Sequence, residues 1–374
     1  MSQCFSFGPS PIPCHSWNKD RSQIAFSPGN NDIEIHQNRG QNWSLAGTLK
    51  KHDLRVTSLD WAPKTNKIVS CSADRNAYVW TEESNGQWSP TLVLLRINRA
   101  ATCVKWSPNE NKFAIGSGSR LVAVAYYEKE NDWWVSRHIK KSFKSTVTTL
   151  DWHPNNMLLA TGSTDFRVRV FSGYIKDVEE AAKETAWGSK EAFGQLMAEY
   201  VNSPLGGGWI HCVAFSPDGN KVAWVSHDSS INVADPTLGA NSIIKLPTKF
   251  LPFLTCIWTD NGTIVAGGHD CQPLTYTLTN NNTLTFAGKL DKSLQKKESQ
   301  GISALSKFRL MEKEARSEQE DKTLESAHQN PIACFCVYQG VKGKVEKISS
   351  SGLDGRVVIW TVGSLERSMK GLKM

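Results

Sequence analysis

One phrase recurs along the chain and leaves little freedom in how it can fold: a short alternating strand, an aromatic, a small residue and often a proline. It reads Ser58-Leu59-Asp60-Trp61-Ala62-Pro63, then Cys103-Val104-Lys105-Trp106-Ser107-Pro108, Thr149-Leu150-Asp151-Trp152-His153-Pro154 and Cys212-Val213-Ala214-Phe215-Ser216-Pro217. Weaker copies are Cys14-His15-Ser16-Trp17, Thr255-Cys256-Ile257-Trp258 and Ala333-Cys334-Phe335-Cys336-Val337, which makes seven. From Trp17 through Trp61 and Trp106 to Trp152 the steps are 44, 45 and 46 residues. A fixed period of this size marks a supersecondary unit that buries its apolar face only by stacking against its neighbours.

Each copy continues alike. A second strand ends in small residues, as in Ile68-Val69-Ser70-Cys71-Ser72, and a tight turn with Asp or Gly leads to a third strand that closes on an aromatic. Asp74 with Trp80, Asp165 with Phe171 and Asp354 with Trp360 share a six-residue interval. Short alternating strands at regular spacing, without long helices between them, predict an all-β, seven-bladed propeller. The expected domain is residues 1–362, followed by a tail at 363–374. The last blade ends at Trp360-Thr361-Val362, so its fourth strand is expected from the N-terminus around Gln3 to Phe7, which removes the exposed edges of an open sheet.

Two intervals are too long, the 63 residues from Trp152 to Phe215 and the 79 from Trp258 to Val337. They place insertions at about 174–206 and 288–326, each with a short helix-prone piece. The first carries Asp177-Val178-Glu179-Glu180-Ala181-Ala182-Lys183-Glu184 and reads as a surface loop or a partner contact. In the second, residues 289–309 hold six Lys/Arg against two Asp/Glu, and 310–326 hold three against six. A stretch so polar packs no core of its own. Within it Ile302, Leu305, Phe308 and Met311 recur every three residues, an apolar stripe for one side of a short helix. So short a helix is marginal alone in water. The stripe is therefore expected to order against a groove of a partner, the competing reading being that it folds back on the propeller.

Composition narrows the function classes. A formal charge of +7 over 374 residues, spread among the blades, falls short of the clustered basic surface of a nucleic-acid reader. Nine cysteines without a CxxC pair are expected to be reduced and buried; Cys334 and Cys336 point to one strand face with no second ligand pair in sequence. No basic leader and no run of 18 apolar residues is present, so a cytosolic chain is expected. There is no G-x-S-x-G, P-loop, H-E-x-x-H or dinucleotide fingerprint, and His211 and His227 lack metal-ligand spacing. Neither enzyme activity, cofactor nor metal is expected.

The phrases resemble the WD-repeat family. In that family a His before the first strand, a Ser or Thr on the second, the turn Asp and the third-strand Trp form a buried hydrogen-bonded tetrad. Two blades here carry all four members: His52, Ser70, Asp74, Trp80, and His328, Ser350, Asp354, Trp360. Blade four keeps Thr161 and Asp165 but has Phe143 at the His position. These groups are expected to be structural, since a buried Asp needs donors.

The likeness goes further in loops that a propeller does not require. Cys14-His15-Ser16-Trp17-Asn18-Lys19-Asp20-Arg21, Leu94-Leu95-Arg96-Ile97-Asn98-Arg99-Ala100-Ala101 and Glu130-Asn131-Asp132-Trp133-Trp134-Val135 are similar to one family. It is the WD-repeat subunit (subunit 1) of the complex of two actin-related proteins that nucleates branched actin filaments. The resemblance implies a non-catalytic scaffold in the cytoplasm, at the actin cytoskeleton and cell cortex. The implied partners are small subunits and an actin-related protein of the same complex, actin filaments and nucleation-promoting factors. The insertion helix would contact actin or an actin-related protein. The alternative is a WD-repeat adaptor of another assembly: a ubiquitin-ligase substrate receptor, a chromatin reader or an RNA-binding propeller. The first two are marked by a linker-binding motif or an aromatic cage, and the third by affinity that falls steeply with salt.

Overall fold

The computed structural model describes residues 2–40, 42–179, 184–188, 192–202, 207–239, 242–279, 281–291 and 326–362. In it each repeat becomes one four-stranded antiparallel sheet, and seven such sheets follow one another as blades of a propeller. The innermost strands are His15–Trp17, Val56–Ala62, Ala101–Trp106, Val147–Trp152, Ile210–Phe215, Phe253–Trp258 and Ile332–Val341. The second strands are the most deeply buried, Lys112–Ser117 and Leu158–Ser163 at every position. Both of their faces lie under neighbouring blades, which is why they read as continuous apolar and small residues instead of alternating ones.

The apolar residues gather into seven clusters, and each lies between two consecutive blades. One joins blades 2 and 3 around Val69, Val79, Phe113 and Ile115; another joins blades 7 and 1 around Ile12, Trp17, Phe26 and Val357. The recurring aromatic of the inner strand is the anchor of these seams, with Trp17, Trp61, Trp106, Trp152, Phe215 and Trp258 all buried. The period detected in the sequence is thus the period of the interfaces, since no blade has a core to itself.

A polar stitch repeats beside the apolar one. Six blades share a register shift at the start of the inner strand, between Val56 and Ser58, Ala101 and Cys103, Val147 and Thr149, Ile210 and Cys212, Phe253 and Thr255, and Ile332 and Cys334. Three of the extra residues use their hydroxyls on the next blade: Thr57 donates to Ala101 O at 2.9 Å, and Thr102 and Thr148 donate to Val147 O and Ile210 O at 2.5 Å. Further along the inner strands, Asp60 accepts the Trp106 N–H at 2.9 Å and Asp151 accepts the Phe215 N–H at 2.8 Å. These bonds satisfy amides that face a neighbouring sheet and have no ladder partner.

The ring closes on the N-terminus. Gln3–Ser6 pairs antiparallel with Arg356–Thr361, with Cys4 opposite Val358, and forms the outer strand of blade 7. Gly355 turns the chain beneath it with φ of 71°, and a Cβ there would stand 1.9 Å from Gly8 O. Only glycine fits so close to a backbone carbonyl.

The interval expected as the first insertion contains Leu196–Val201, the outer strand of blade 4. The inserted stretch therefore stops short of it; counting excess residues locates an insertion but not the point where pairing resumes. Of the helix-prone piece, Ile175–Glu179 forms one hydrogen-bonded turn, Glu179 N donating to Ile175 O at 3.1 Å, and 180–183 lie outside the described residues. Among the described residues the single helical element is a 3-10 turn at Pro236–Leu238. The stripe Ile302, Leu305, Phe308 and Met311 and the tail 363–374 also lie outside them.

Candidate functional site

The connections from outer to inner strand and from second to third strand open on the same end of the ring, and buried polar ladders stand behind them. In blade 2, His52 Nδ1 lies 2.8 Å from Asp74 Oδ2, His52 Nε2 lies 2.9 Å from Ser70 Oγ, and Trp80 Nε1 donates to Ser70 Oγ at 2.9 Å. An indole N–H can only donate, so the serine hydroxyl passes its proton toward His52 Nε2, and Nδ1–H donates to Asp74. Burial pulls the His52 imidazole below its usual range, against the pull of Asp74. Asp74 also accepts the backbone N–H of Asp53 at 3.0 Å and of Asn76 at 2.8 Å, which pins both connections of that blade to one carboxylate.

Blade 7 repeats the arrangement. His328 Nε2 lies 2.7 Å from Ser350 Oγ, Trp360 Nε1 donates to the same hydroxyl at 2.7 Å, and His328 Nδ1 faces both Asp354 oxygens at 3.1 and 3.2 Å. Burial pushes the Asp354 carboxyl up, but the His328 bond, its charge and the Gln329 and Arg356 amides outweigh it and hold the group below the usual carboxylate range. His52 is 4% exposed and His328 0%, so neither imidazole reaches a substrate.

Two blades solve the same problem with residues that the sequence reading missed. In blade 4, Phe143 occupies the histidine position and Arg169 reaches in from the third strand, its guanidinium 5.4 Å from the Phe143 ring centroid, 2.9 Å from Asp165 Oδ2 and 2.6 Å from Glu199 Oε2. In blade 5, Asn202 takes the histidine position and the indole moves from the third strand to the second. Trp224 Nε1 donates to Asn202 Oδ1 at 2.9 Å, and Asn202 Nδ2 donates to Asp228 at 3.2 Å. The signal was present: Asp228 precedes Ala234 by the same six residues that separate Asp74 from Trp80, with Trp224 at the serine's place.

The end of the ring backed by these ladders carries exposed apolar side chains on successive loops. Leu54, Leu94, Trp209 and Leu251 precede the inner strands of blades 2, 3, 5 and 6, each about half exposed, and Leu353 lies in the second-to-third turn of blade 7. The second insertion leaves and re-enters on this face. Its described ends are tied together, Ala327 N donating to Asp291 Oδ2 at 3.1 Å while Arg356 holds Ala327 O at 2.7 Å. The structure also joins the two histidines that lack metal-ligand spacing in sequence: His211, an extra residue of the inner-strand shift, has Nε2 3.0 Å from His227 Nδ1. Burial, with the charges of His227 and His269, pulls His211 down to about 4. The Trp209 ring lies 5.8 Å from that of His227.

The first insertion is anchored at its start. The buried Lys112 amine of blade 3 donates to Gly173 O at 2.8 Å and pairs with Glu179, which also accepts from Ile175 N at 2.8 Å and Asn156 at 2.7 Å. Burial draws the amine down to about 8, with Glu179 opposing. All nine cysteines are free thiols: Cys14, Cys71, Cys256 and Cys271 are buried, Cys103, Cys212, Cys334 and Cys336 half-buried, and Cys4 exposed. No helix among the described residues is long and apolar enough to cross a membrane.

Residues 43–81, 136–172 and 200–235 match the family described as WD domain, G-beta repeat. Over its whole length the chain is similar to curated proteins of one kind. It is 52% identical over 97% of both chains to actin-related protein 2/3 complex subunit 1A-B of Xenopus laevis. It is 41% identical to actin-related protein 2/3 complex subunit 1 of Schizosaccharomyces pombe, over 96% of this chain and 99% of that one. With the subunit 1 protein of Saccharomyces cerevisiae it shares 40% identity over 94% and 95%.

Proposed function

The chain belongs to the family of actin-related protein 2/3 complex subunit 1, and from that premise we propose that it is the propeller scaffold of such a complex and supports nucleation of branched actin filaments. The observation that carries the reading is the continuity of the match: at 52% identity it covers 97% of the chain, a span that takes in the connecting loops as well as the blades. Propeller geometry alone constrains the strands and turns; the loops are left to the partners.

The work of such a subunit is positional. Seven blades joined by interblade cores and polar stitches form a frame whose loops are set from behind by ladders such as His52–Asp74 and His328–Asp354. On this reading the small subunits and one actin-related protein of the complex seat on the propeller. The second insertion, rooted at Asp291 and Ala327 on the face bearing Leu54, Leu94, Trp209 and Leu251, reaches actin or an actin-related protein with its apolar stripe. Actin filaments and nucleation-promoting factors are the wider partners, and the cytoplasmic actin cortex is the location. Nucleotide chemistry then belongs to the actin-related proteins, and this chain contributes no catalytic group.

The test is a tagged pull-down from cytosol, followed by size-exclusion chromatography and mass spectrometry. Co-elution of two actin-related proteins with several small subunits in fixed ratio is the expected result. A lone chain, or a set of ligase or chromatin proteins, would remove the assignment and leave the fold.

A further inference from the structure

We propose that His15, Cys334 and Cys336 form a binding site for a thiophilic d10 cation, Zn²⁺ or Cu⁺, that clasps blade 1 to blade 7. One ligand atom from each of the three residues lies within 4.8 Å of the others. The sequence alone offered two thiols and no partner; ring closure supplies the imidazole, because His15 opens the inner strand of blade 1 and the cysteines lie on the adjoining inner strand of blade 7. Cys334 and Cys336 are two apart on that strand, so both sulfurs project to one face while Phe335 turns into the core between blades 6 and 7. That face borders the central cavity of about 490 Å³, which gives a cation a route in and leaves room for a water as fourth ligand.

The metal takes both sulfurs as thiolates, so binding displaces their protons, and Lys105 lines the same cavity, 3.6 Å from Asp60. A tetrahedral site places donor atoms roughly 3.3–3.8 Å apart, so the three ligands, now within 4.8 Å of one another, draw together on binding. His15 already carries the outer hydrogen bond that a metal-bound imidazole uses. Its nitrogens lie 3.0 Å from Ser351 Oγ and 2.8 Å from Ser349 Oγ, and the nitrogen left free by the metal keeps its serine. Ser349 retains the Trp17 indole as a donor if its imidazole contact is lost, at 2.8 Å. On binding, two metal–sulfur bonds replace the S–H bonds still present, and the released protons leave through the cavity.

The experiment uses the full-length chain, reduced and stripped with chelator. Cd²⁺ is titrated with thiolate charge-transfer absorbance as the readout, and Zn²⁺ by calorimetry in two buffers of different ionisation heat. The expected result is one equivalent bound, release of between about one and two protons, and a rise in melting temperature. Cys334→Ser and Cys336→Ser should each weaken binding at least 100-fold, while Cys212→Ser should not change it. Wild-type peptide mapping after alkylation gives a readout independent of variant folding: one equivalent of Zn²⁺ should protect Cys334 and Cys336 and leave the exposed Cys4 reactive. Absence of a stoichiometric equivalent, binding unaffected by both serine substitutions, or alkylation unchanged by Zn²⁺ would each overturn the site.

Discussion

Trp224 donates its indole N–H to Asn202 at 2.9 Å, and that single bond places the aromatic of blade 5 on the second strand, whereas blades 2 and 7 carry it on the third. The buried ladder behind the loops is therefore conserved in shape within this one ring while its donors change strands. Ala234, fully buried on the third strand two residues beyond Asn232, which pairs with Trp224, leaves the room that the displaced indole needs.

Exchange across that pair tests the idea. Trp224→Ala and Trp80→Ala should each lower stability by roughly 3–5 kcal/mol, the cost of emptying a fully buried aromatic site. Trp224→Ser combined with Ala234→Trp should recover part of the loss by rebuilding the blade 2 arrangement, a non-additive outcome in a double-mutant cycle followed by urea unfolding. Additive losses would mean that the two positions do not share one space.

Burial of the Lys112 amine should make stability depend on pH in the alkaline range. In the folded chain burial holds the amine at about 8, below its ordinary value, so from there upward the unfolded chain binds more protons and stability rises with pH. The rise should span the window from about 8 to 10.5, the ordinary value of a lysine amine, and flatten in Lys112→Met. At neutral pH, Glu179→Ala should cost about 3–5 kcal/mol because it leaves a buried ammonium without its partner. Melting curves of the three proteins across that pH range decide both points.

Ring closure rests on a glycine. Gly355→Ala places a methyl group against Gly8 O, so the N-terminal strand Gln3–Ser6 should detach from Arg356–Thr361 more readily. Amide exchange of Cys4 and Phe5 should accelerate at least tenfold, with a stability loss of roughly 2–3 kcal/mol. Unchanged exchange would place the closing force elsewhere.

The apolar stripe of the second insertion carries the link to actin in the proposed function. Phe308→Asp should leave the melting temperature and the assembled complex unchanged and lower filament branching several-fold, since it puts a charge into the apolar stripe of an otherwise polar segment. Branching assays with purified mutant complex check it, and full activity would discard the stripe as a contact.

Much of the fold was legible because a propeller writes its interfaces as a period. An aromatic that must plug each seam recurs at Trp17, Trp61, Trp106 and Trp152, and the same seams hold these residues buried in the structure. The tetrads of blades 2 and 7 were readable because Ser, Asp and Trp stand at the same intervals in both and the resemblance to WD repeats supplies the His. Arg169 and Trp224 were not, since each substitutes for a missing member from another strand, and shape complementarity between strands leaves no interval to count. The same limit applies to pairs formed between blades.

By itself the sequence determined the number of blades, the all-β character, the borrowed N-terminal strand and, through loops that no propeller requires, the family. Those features depend on local spacing and on which residue types can be buried. Tertiary structure alone decided what meets across the ring. Lys112 finds Glu179 of the first insertion, His211 finds His227, and His15 arrives beside Cys334 and Cys336 although more than three hundred residues separate them. The reason is geometric: the missing fourth strand announces that the ring closes, but spacing along the chain does not say which side chains meet once it has closed.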